Sequence, residues 1–544
     1  MQFNLIDERW IPVKRRDGTA TMIAPWEVTD RFADNPVVAL NAPRPDFNGA
    51  LIQFLIGLVQ TVAAPRNGSE WRKKMTDPPT PDELQTVFAT VRHAFELGGD
   101  GTRFMQDLDE LVAESGSIDG LLIDTPGDNA KKKNTDHFVK RDTVSGMCHS
   151  CCSTALFAMQ TNAPAGGVGY RTSLRGGGPL TTLIVGDERH ATLWQLVWLN
   201  VLEQNAFQNI CGNPKLTDGS IFPWLATTRT SEKNTGVETT PENMHPAVMF
   251  WGMPRRIRLS LKNIGAGVCD VCGKTSNKLI QNYQEKNYGM NFTGAWLHPF
   301  SPYSSKDNMP LPVHPQPGGI SYRHWLGLVL QDSNEKRMPA RIVLEFYNRW
   351  RSGWQSRLWV FGYDMNNMKA RCWYESTMPL LFVDEKIKPE YEQFVAGMVN
   401  AAAEISGNAR NAVKKAWFRR PGDVKGDTTF VGNSFWHQTE SVFYEALESI
   451  KAALESGSDS LQARQMWHKA LCEYALKLFD SYAWDGPIED ADPKRVVIAR
   501  KELENFNRGT KIKTLLGLPV APKAVGKPVK KKETSQPKQM KLEF

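Results

Sequence analysis

The chain has no long uninterrupted apolar run. Its longest, residues 51–64, is broken by Gln53 and Gln60 and is too short to span a bilayer. A buried core helix is expected there, with no membrane contact. The opening Met1-Gln2-Phe3-Asn4 has neither the basic nor the apolar region of a secretory leader. A cytoplasmic location is therefore expected. Catalytic signatures are missing as well. There is no G-x-S-x-G elbow, no G-x-x-x-x-G-K-[ST] phosphate loop and no H-E-x-x-H helix. Asp and Glu are dispersed, not grouped at metal-ligand spacing. Gly166-Gly167-Val168-Gly169 lacks the preceding strand and the following acidic residue of a dinucleotide fingerprint. It reads as a turn whose bare backbone something can approach closely. A net surplus of positive charge is also scarce outside the end of the chain. The net charge is +7, but from Val520 onward there are seven Lys and two Glu, so the rest carries only +2. That excludes a uniformly basic nucleic-acid coat and leaves local patches.

Cysteine is sparse, eight in 544 residues, yet four of the eight fall into two Cys-x-x-Cys pairs. These are Cys148/Cys151 and Cys269/Cys272. Each pair can hold half of a tetrahedral ion, and together they offer the four soft thiolates that a structural zinc prefers. Gly273, just after the second pair, permits the positive φ of a zinc knuckle. His149 or Cys152 is an alternative to Cys151 as a ligand, and a redox dithiol is the competing reading of either pair. Cys211, Cys372 and Cys472 read as ordinary core thiols.

With 544 residues, more than one domain is expected. The opening residues 3–13 read as a short β-hairpin, with Asp17-Gly18 closing the next turn. Helices are expected over residues 51–64 and, after a Thr80 cap, 81–97. Residues 116–144 read as a polar loop. A helix should follow Cys152 to Thr161, a strand should cover 180–185, a helix 193–202 and a strand 251–261. After about Met378 the character changes. Apolar stripes at three- and four-residue spacing mark four helices: Tyr391 to Ile405, Phe443 to Leu454, Trp467 to Leu478, and Val496 to Phe506. The fold class is thus α+β. A large mixed, loop-rich domain (1–377) carries the zinc site, a four-helix bundle follows (378–518), and a disordered Lys-rich tail closes the chain (519–544).

Local cationic features invite a nucleic-acid reading or a plainer one. Lys131-Lys132-Lys133 is a solvated loop or a contact. Arg255, Arg256 and Arg258 alternate along a strand that is equally a solvated sheet face. Arg171 and Arg175 flank the glycine stretch and favour an anionic visitor. Lys414, Lys415, Arg419 and Arg420 cluster near the end of the first bundle helix. His298 reads as a packed core histidine. These features suit a subunit of a nucleoprotein assembly. A zinc-containing nuclease or transferase, or a scaffold touching only protein, are the alternatives.

Along nearly its whole length the chain resembles the large subunit (CasA family) of the type I-E CRISPR surveillance complex, Cascade. The resemblance rests on Asn4-Leu5-Ile6-Asp7 with Trp10-Ile11-Pro12-Val13, both Cys pairs, and Ser173-Leu174-Arg175-Gly176-Gly177 with Pro179. It also rests on Trp296, His298-Pro299 and Ser301-Pro302, and on the terminal helices. It implies a prokaryotic, non-enzymatic subunit that inspects double-stranded target DNA for a protospacer-adjacent motif (PAM) from the minor groove. Such a subunit promotes duplex opening and R-loop formation and helps recruit a helicase–nuclease effector. The implied partners are the guide RNA 5′ end and the backbone, small and RNA-end-capping subunits. The resemblance places the family's glycine loop on Ala165, Gly166, Gly167, Val168 and Gly169, with Val168 where glycine is usual. It places the minor-groove lysine on Lys286, or Asn287 in a gapless match. It places the strand-splitting wedge on Met368, or Asn367. Contact with the guide RNA or a neighbouring subunit is implied for the loop with Leu122 and Asp124, and for Lys131, Lys132 and Lys133.

Overall fold

The computed structural model describes residues 3–136, 139–186, 191–207, 215–261, 265–306, 309–332, 336–349, 356–366, 369–423, 426–486 and 492–520. Asn367, Met368, Cys211 and all but the first two residues of the expected tail lie outside these. Strands Ile11–Arg15 and Ala20–Ile23 pair from Ile11↔Ile23 to Lys14↔Ala20, and Val37–Leu40 adds to the other edge. Gly18 closes their turn at φ 89°, as Asp17-Gly18 suggested. The stretch before it is not a hairpin. Asn4 forms one bridge to Glu96, and Trp10 Nε1 donates to Leu5 O at 2.8 Å.

Helix Pro45–Val62 is buried over 14 of its 18 residues, the mark of a core helix wrapped on every side. It starts earlier than the apolar run because Pro45 suits a first-turn position. The two glutamines that interrupt the run are satisfied. Gln53 donates to Gly49 O, and Gln60 exchanges two bonds with the Leu202 backbone. Phe54 on this helix meets Trp10, Phe95, Phe104, Phe157 and Trp251 edge-on at 5.2–5.9 Å. Such contacts add to burial by about 0.5–1.5 kcal/mol per pair.

Helix Pro81–Ala89 has the expected Thr80 cap, completed as a capping box by Glu83, but stops short of Leu97. Thr90 Oγ1 bonds back to Val87 O at 2.7 Å, and a short 3₁₀ turn, Arg92–Ala94, takes over. The loop expected over 116–144 contains a strand, Ser115–Ser117, and a short helix, Asp128–Lys132. That strand joins a sheet with Asn282–Lys286 at its centre and Arg256–Leu259 on the far side. A long hairpin, Arg357–Asn366 with Lys369–Pro379, extends beside Thr181–Val185.

At the end of the chain, helices Lys388–Trp417, Glu440–Glu455, Leu461–Tyr482 and Pro493–Asn507 carry the four expected stripes, except that Phe506, the last residue of the fourth, is exposed. Two further helices, Thr429–Gln438 and Thr510–Leu515, pack with them. Tyr322 of the α/β body stacks on Phe443 at 4.3 Å, and its hydroxyl lies 2.8 Å from Thr439 Oγ1. Among the described residues, no helix is long and apolar enough to cross a membrane.

Candidate nucleic-acid interface and cysteine cluster

Cys148 caps helix His149–Asn162, and Cys151 lies in its first turn. Cys269 and Cys272 sit in a knuckle between the short strands Gly267–Val268 and Thr275–Ser276. In that knuckle Gly273 N donates to Cys269 O and Cys269 N donates to Lys274 O. Gly273 takes φ 70°, the conformation for which glycine is suited. The four sulfurs all lie within 4.8 Å of one another, and those of Cys148 and Cys272 are 3.8 Å apart. Zinc–sulfur bonds of about 2.3 Å in a tetrahedron put neighbouring sulfurs about 3.8 Å apart, so the set fits a metal. Cys151 is the thiol that joins; His149 stacks on Phe3 at 4.6 Å, and Cys152 points into the core. Bonding to Cys148 and Cys269, with burial, pushes the Cys151 thiol far up. Cys372, read above as a core thiol, is exposed, and Cys472 is half-buried.

The two halves of the cluster are also stitched by backbone. Met147 and Ile280 exchange bonds of 2.9 and 2.8 Å. The Asp270 carboxylate accepts from Ser145 N and Gly146 N at 2.7 and 2.9 Å. From this staple two elements run in parallel service. Helix His149–Asn162 leads into Ala163-Pro164 and the glycine loop. Strand Asn282–Lys286 begins two residues after Ile280 and leads to Asn287 and Tyr288.

Their far ends meet. Tyr170 N donates to Gly167 O at 3.2 Å, closing a turn with Val168 and Gly169 at its centre. Gly169 has φ 80°, the value a type II turn needs there. Asn287 Nδ2 donates to Val168 O at 3.1 Å, and Tyr288 N donates to Gly169 O at 2.7 Å. The Tyr288 ring lies directly against Gly169, where a Cβ would come within 2.8 Å of it. Tyr288 itself sits at φ 62°, a region costly for a bulky residue, so the surroundings hold it there. Ala165, Gly167 and Val168 are exposed, and Lys286 is half-buried at the strand end.

Arg255 clamps the arrangement. Its guanidinium donates to Pro164 O at 2.5 Å, lies 4.9 Å over the Tyr170 ring and reaches Glu285 at 3.5 Å. It is neither solvated nor available to an anion, being 5% exposed. Arg256 is likewise buried on Asp107 at 2.5 Å, and Arg258 binds the carbonyls of Asp107 and Leu108. The arginine strand is therefore a set of internal ties. Arg175 is another: Ser301, Gln53, Leu180 and Thr181 occupy its guanidinium, and burial pushes its pKa down to about 10. Arg171 is held by Ser231 at 2.9 Å. His298 is buried as expected, its Nδ1 accepting from Phe300 N at 3.2 Å.

The long hairpin approaches the base of the loop through glycines. A Cβ on Gly177 would lie 3.2 Å from Pro164 Cα, and one on Gly178 would lie 2.7 Å from Tyr363 O. Arg371 pairs with Asp364 at 2.6 Å near the hairpin tip. One residue before Asp364, Tyr363 donates to Asp46 at 2.7 Å, and Arg44 bridges Asp46 and Asp124, each at 2.9 Å. Leu122 is buried beside Asp124. Lys131 lies 3.8 Å from Asp119, while Lys132 and Lys133 are exposed. In the bundle, Lys415 is paired with Glu502 at 2.6 Å and Arg420 is exposed. Arg44 and Tyr288 escaped sequence reading, because they act through Asp124 and Gly169, far away in the chain.

A cysteine-stapled α+β body that presents a locked glycine turn beside a lysine-tipped strand defines a scaffold with one rigid surface. The family model for CRISPR-associated protein Cse1 matches residues 4–478, and the chain belongs to that family. Its fold is similar to Thermobifida fusca Cse1, with TM-score 0.67, 17% identity, and 95% of this chain and 98% of that one covered. It is similar to Thermus thermophilus CasA (Cse1), with TM-score 0.62, 18% identity, and 95% and 99% covered. It is similar to a chain of a CRISPR RNA-guided surveillance complex, with TM-score 0.65, 14% identity, and 93% and 100% covered.

Proposed function

We propose that this chain is the large subunit of a type I-E CRISPR surveillance complex, where it reads the PAM of duplex DNA from the minor groove. The observation that carries this is the junction of the glycine loop with the Lys286 strand end. Two segments more than a hundred residues apart meet through Asn287 and Tyr288 to form one exposed, rigid edge. A turn with little side chain suits a narrow groove, and a neighbouring cation suits its phosphates and acceptors. In this reading the tip between Asn366 and Lys369 supplies the wedge, Met368 or Asn367, that opens the first step. The loop with Leu122 and Asp124, and Lys131 to Lys133, faces the guide RNA 5′ end or a neighbouring subunit. Double-stranded DNA, the backbone, small and end-capping subunits and a helicase–nuclease effector are the partners. The chain itself performs no catalysis. Cys148, Cys151, Cys269 and Cys272 would hold zinc as a closed structural site with no position for substrate.

The test is a gel shift of the guide-bearing complex, with and without this chain, on duplexes that carry or lack a PAM. Motif-dependent binding that appears only with this chain supports the reading; equal binding without it overturns the reading. Within the same assay, Lys286→Ala is expected to weaken motif-bearing duplexes by about 1–3 kcal/mol if it touches a base edge. A uniform loss on all duplexes, with a shallower salt dependence, would reassign it to phosphate.

A further inference from the structure

Four arginines are buried among the described residues: Arg175, Arg255, Arg256 and Arg464. Three of them sit near a carboxylate. Arg255 is 3.5 Å from Glu285, Arg256 is 2.5 Å from Asp107 and Arg464 is 3.2 Å from Asp459. Arg175 is the most buried, at 2% exposed, and pairs with no carboxylate among the described residues. Its partners are all neutral. Nε donates to Ser301 Oγ at 2.8 Å and Nη1 to Gln53 Oε1 at 2.9 Å. Nη2 donates to Leu180 O at 3.0 Å and to Thr181 Oγ1 at 2.8 Å. Burial pushes its pKa down to about 10, which still leaves it charged at neutral pH. A charge this deep, met only by neutral groups, is costly to bury. His298 gives no relief, because burial and the Arg175 charge both hold its imidazole neutral.

A cavity of about 20 Å³ adjoins this charge, lined by Gln53, Thr161, Ser173, Arg175, Gly252 and His298 among others. That is room for one water or one ion of similar size. A guanidinium has five N–H groups, and the four bonds above leave one, on Nη1. Gln53 Nε2 likewise keeps one hydrogen beyond its bond to Gly49 O. Two donors and a full positive charge therefore border a space for one small particle. We infer that this cavity binds a monatomic anion, such as chloride, as the counterion of Arg175. A water would accept from the donors but leave the charge uncompensated. An anion does both, and its attraction to the guanidinium is stronger in the interior than in water. The site would fasten helix Pro45–Val62, through Gln53, to strand Thr181–Val185 and to Ser301. It concerns how the α/β body is held together and is independent of the DNA reading above.

The test is thermal melting of the full chain as chloride replaces gluconate, an anion too large for the cavity, at constant ionic strength. The midpoint is expected to rise by about 2 °C once chloride reaches ten times its dissociation constant, along a single-site curve. A crystal soaked in bromide should show an anomalous peak beside Arg175. Gln53→Glu places a carboxylate where Oε1 already receives Nη1, so the chain then supplies its own counterion. Melting of that variant should not respond to chloride. Arg175→Met removes the charge and should not respond either. Should Arg175→Met fail to fold, Gln53→Glu and the bromide peak decide the matter. A wild-type midpoint indifferent to chloride, with no bromide peak, means that the cavity holds water and overturns the inference. A bromide peak with no chloride effect on melting marks an adventitious ion only, which also overturns it. An equal chloride response in Gln53→Glu places the anion elsewhere and overturns it too.

Discussion

Cys269→Ser is expected to abolish metal retention and to lower the thermal midpoint of the α/β body more than any other single change at these sites. Structural zinc in small domains binds with apparent free energies of about 10–16 kcal/mol, and the binding is linked to folding. The surrounding backbone bonds, from Met147, Ile280, Ser145 and Gly146, contribute only about 1 kcal/mol each and cannot replace that. Cys152 cannot move in as a fourth ligand, since it is wholly buried on another face of the same helix. Elemental analysis and a melting curve check both parts. Wild-type protein purified with well under half an equivalent of metal, melting as the serine variant does, would sink the assignment. The damage should also reach the edge proposed to meet DNA. The staple fixes the register between helix His149–Asn162 and strand Asn282–Lys286, and the glycine loop and Lys286 stand at their far ends. Gln160 already ties that helix to Arg255 with bonds of 2.9 and 3.0 Å, so partial loss of PAM-dependent binding is expected, not complete loss.

The parts of this architecture that were legible in the sequence are those whose chemistry is local. The Cys-x-x-Cys spacing, with Gly273 following, announces a knuckle without reference to anything distant. Stripes such as Trp467, Leu471 and Leu478 announce a helix, because periodicity needs only one element. Helix Thr429–Gln438 was missed because it buries only Val431, Phe435 and Trp436 and contains Gly432, so its stripe is thin. The arginines misled for the opposite reason. Arg175, Arg255 and Arg256 look like a cationic surface in sequence, but their partners, Gln53, Pro164 and Asp107, come from other elements. A guanidinium reads as exposed until the fold supplies its acceptors. The nearness of Gly169 and Asn287 was legible only through the family resemblance, and the part of Tyr288 not at all, since no spacing rule links residues so far apart.

Two glycines in one turn should fail in different ways when each is changed to valine. Gly169 sits at φ 80°, where an L-residue costs about 1–2 kcal/mol. Its Cβ would also meet the Tyr288 ring at 2.8 Å, and overpacking of that kind costs about 1–3 kcal/mol. The cheapest relief is to lift the turn off Tyr288, which breaks the bonds from Tyr288 N and Asn287 Nδ2. Gly169→Val is therefore expected to lower the melting point modestly and to cut PAM-dependent binding by at least tenfold. Gly167 lies outside the left-handed region, and nothing is within 4 Å of its missing Cβ. Gly167→Val should leave the melting curve unchanged. Its two added methyls would nonetheless stand on the exposed face of the turn, where a narrow groove must close around it. A loss of binding near tenfold, confined to PAM-bearing duplexes, is expected for this variant. Wild-type binding by Gly167→Val would mean that DNA does not approach this face. Unchanged binding by Gly169→Val, with the same melting shift, would mean that the lock on Tyr288 serves the fold alone.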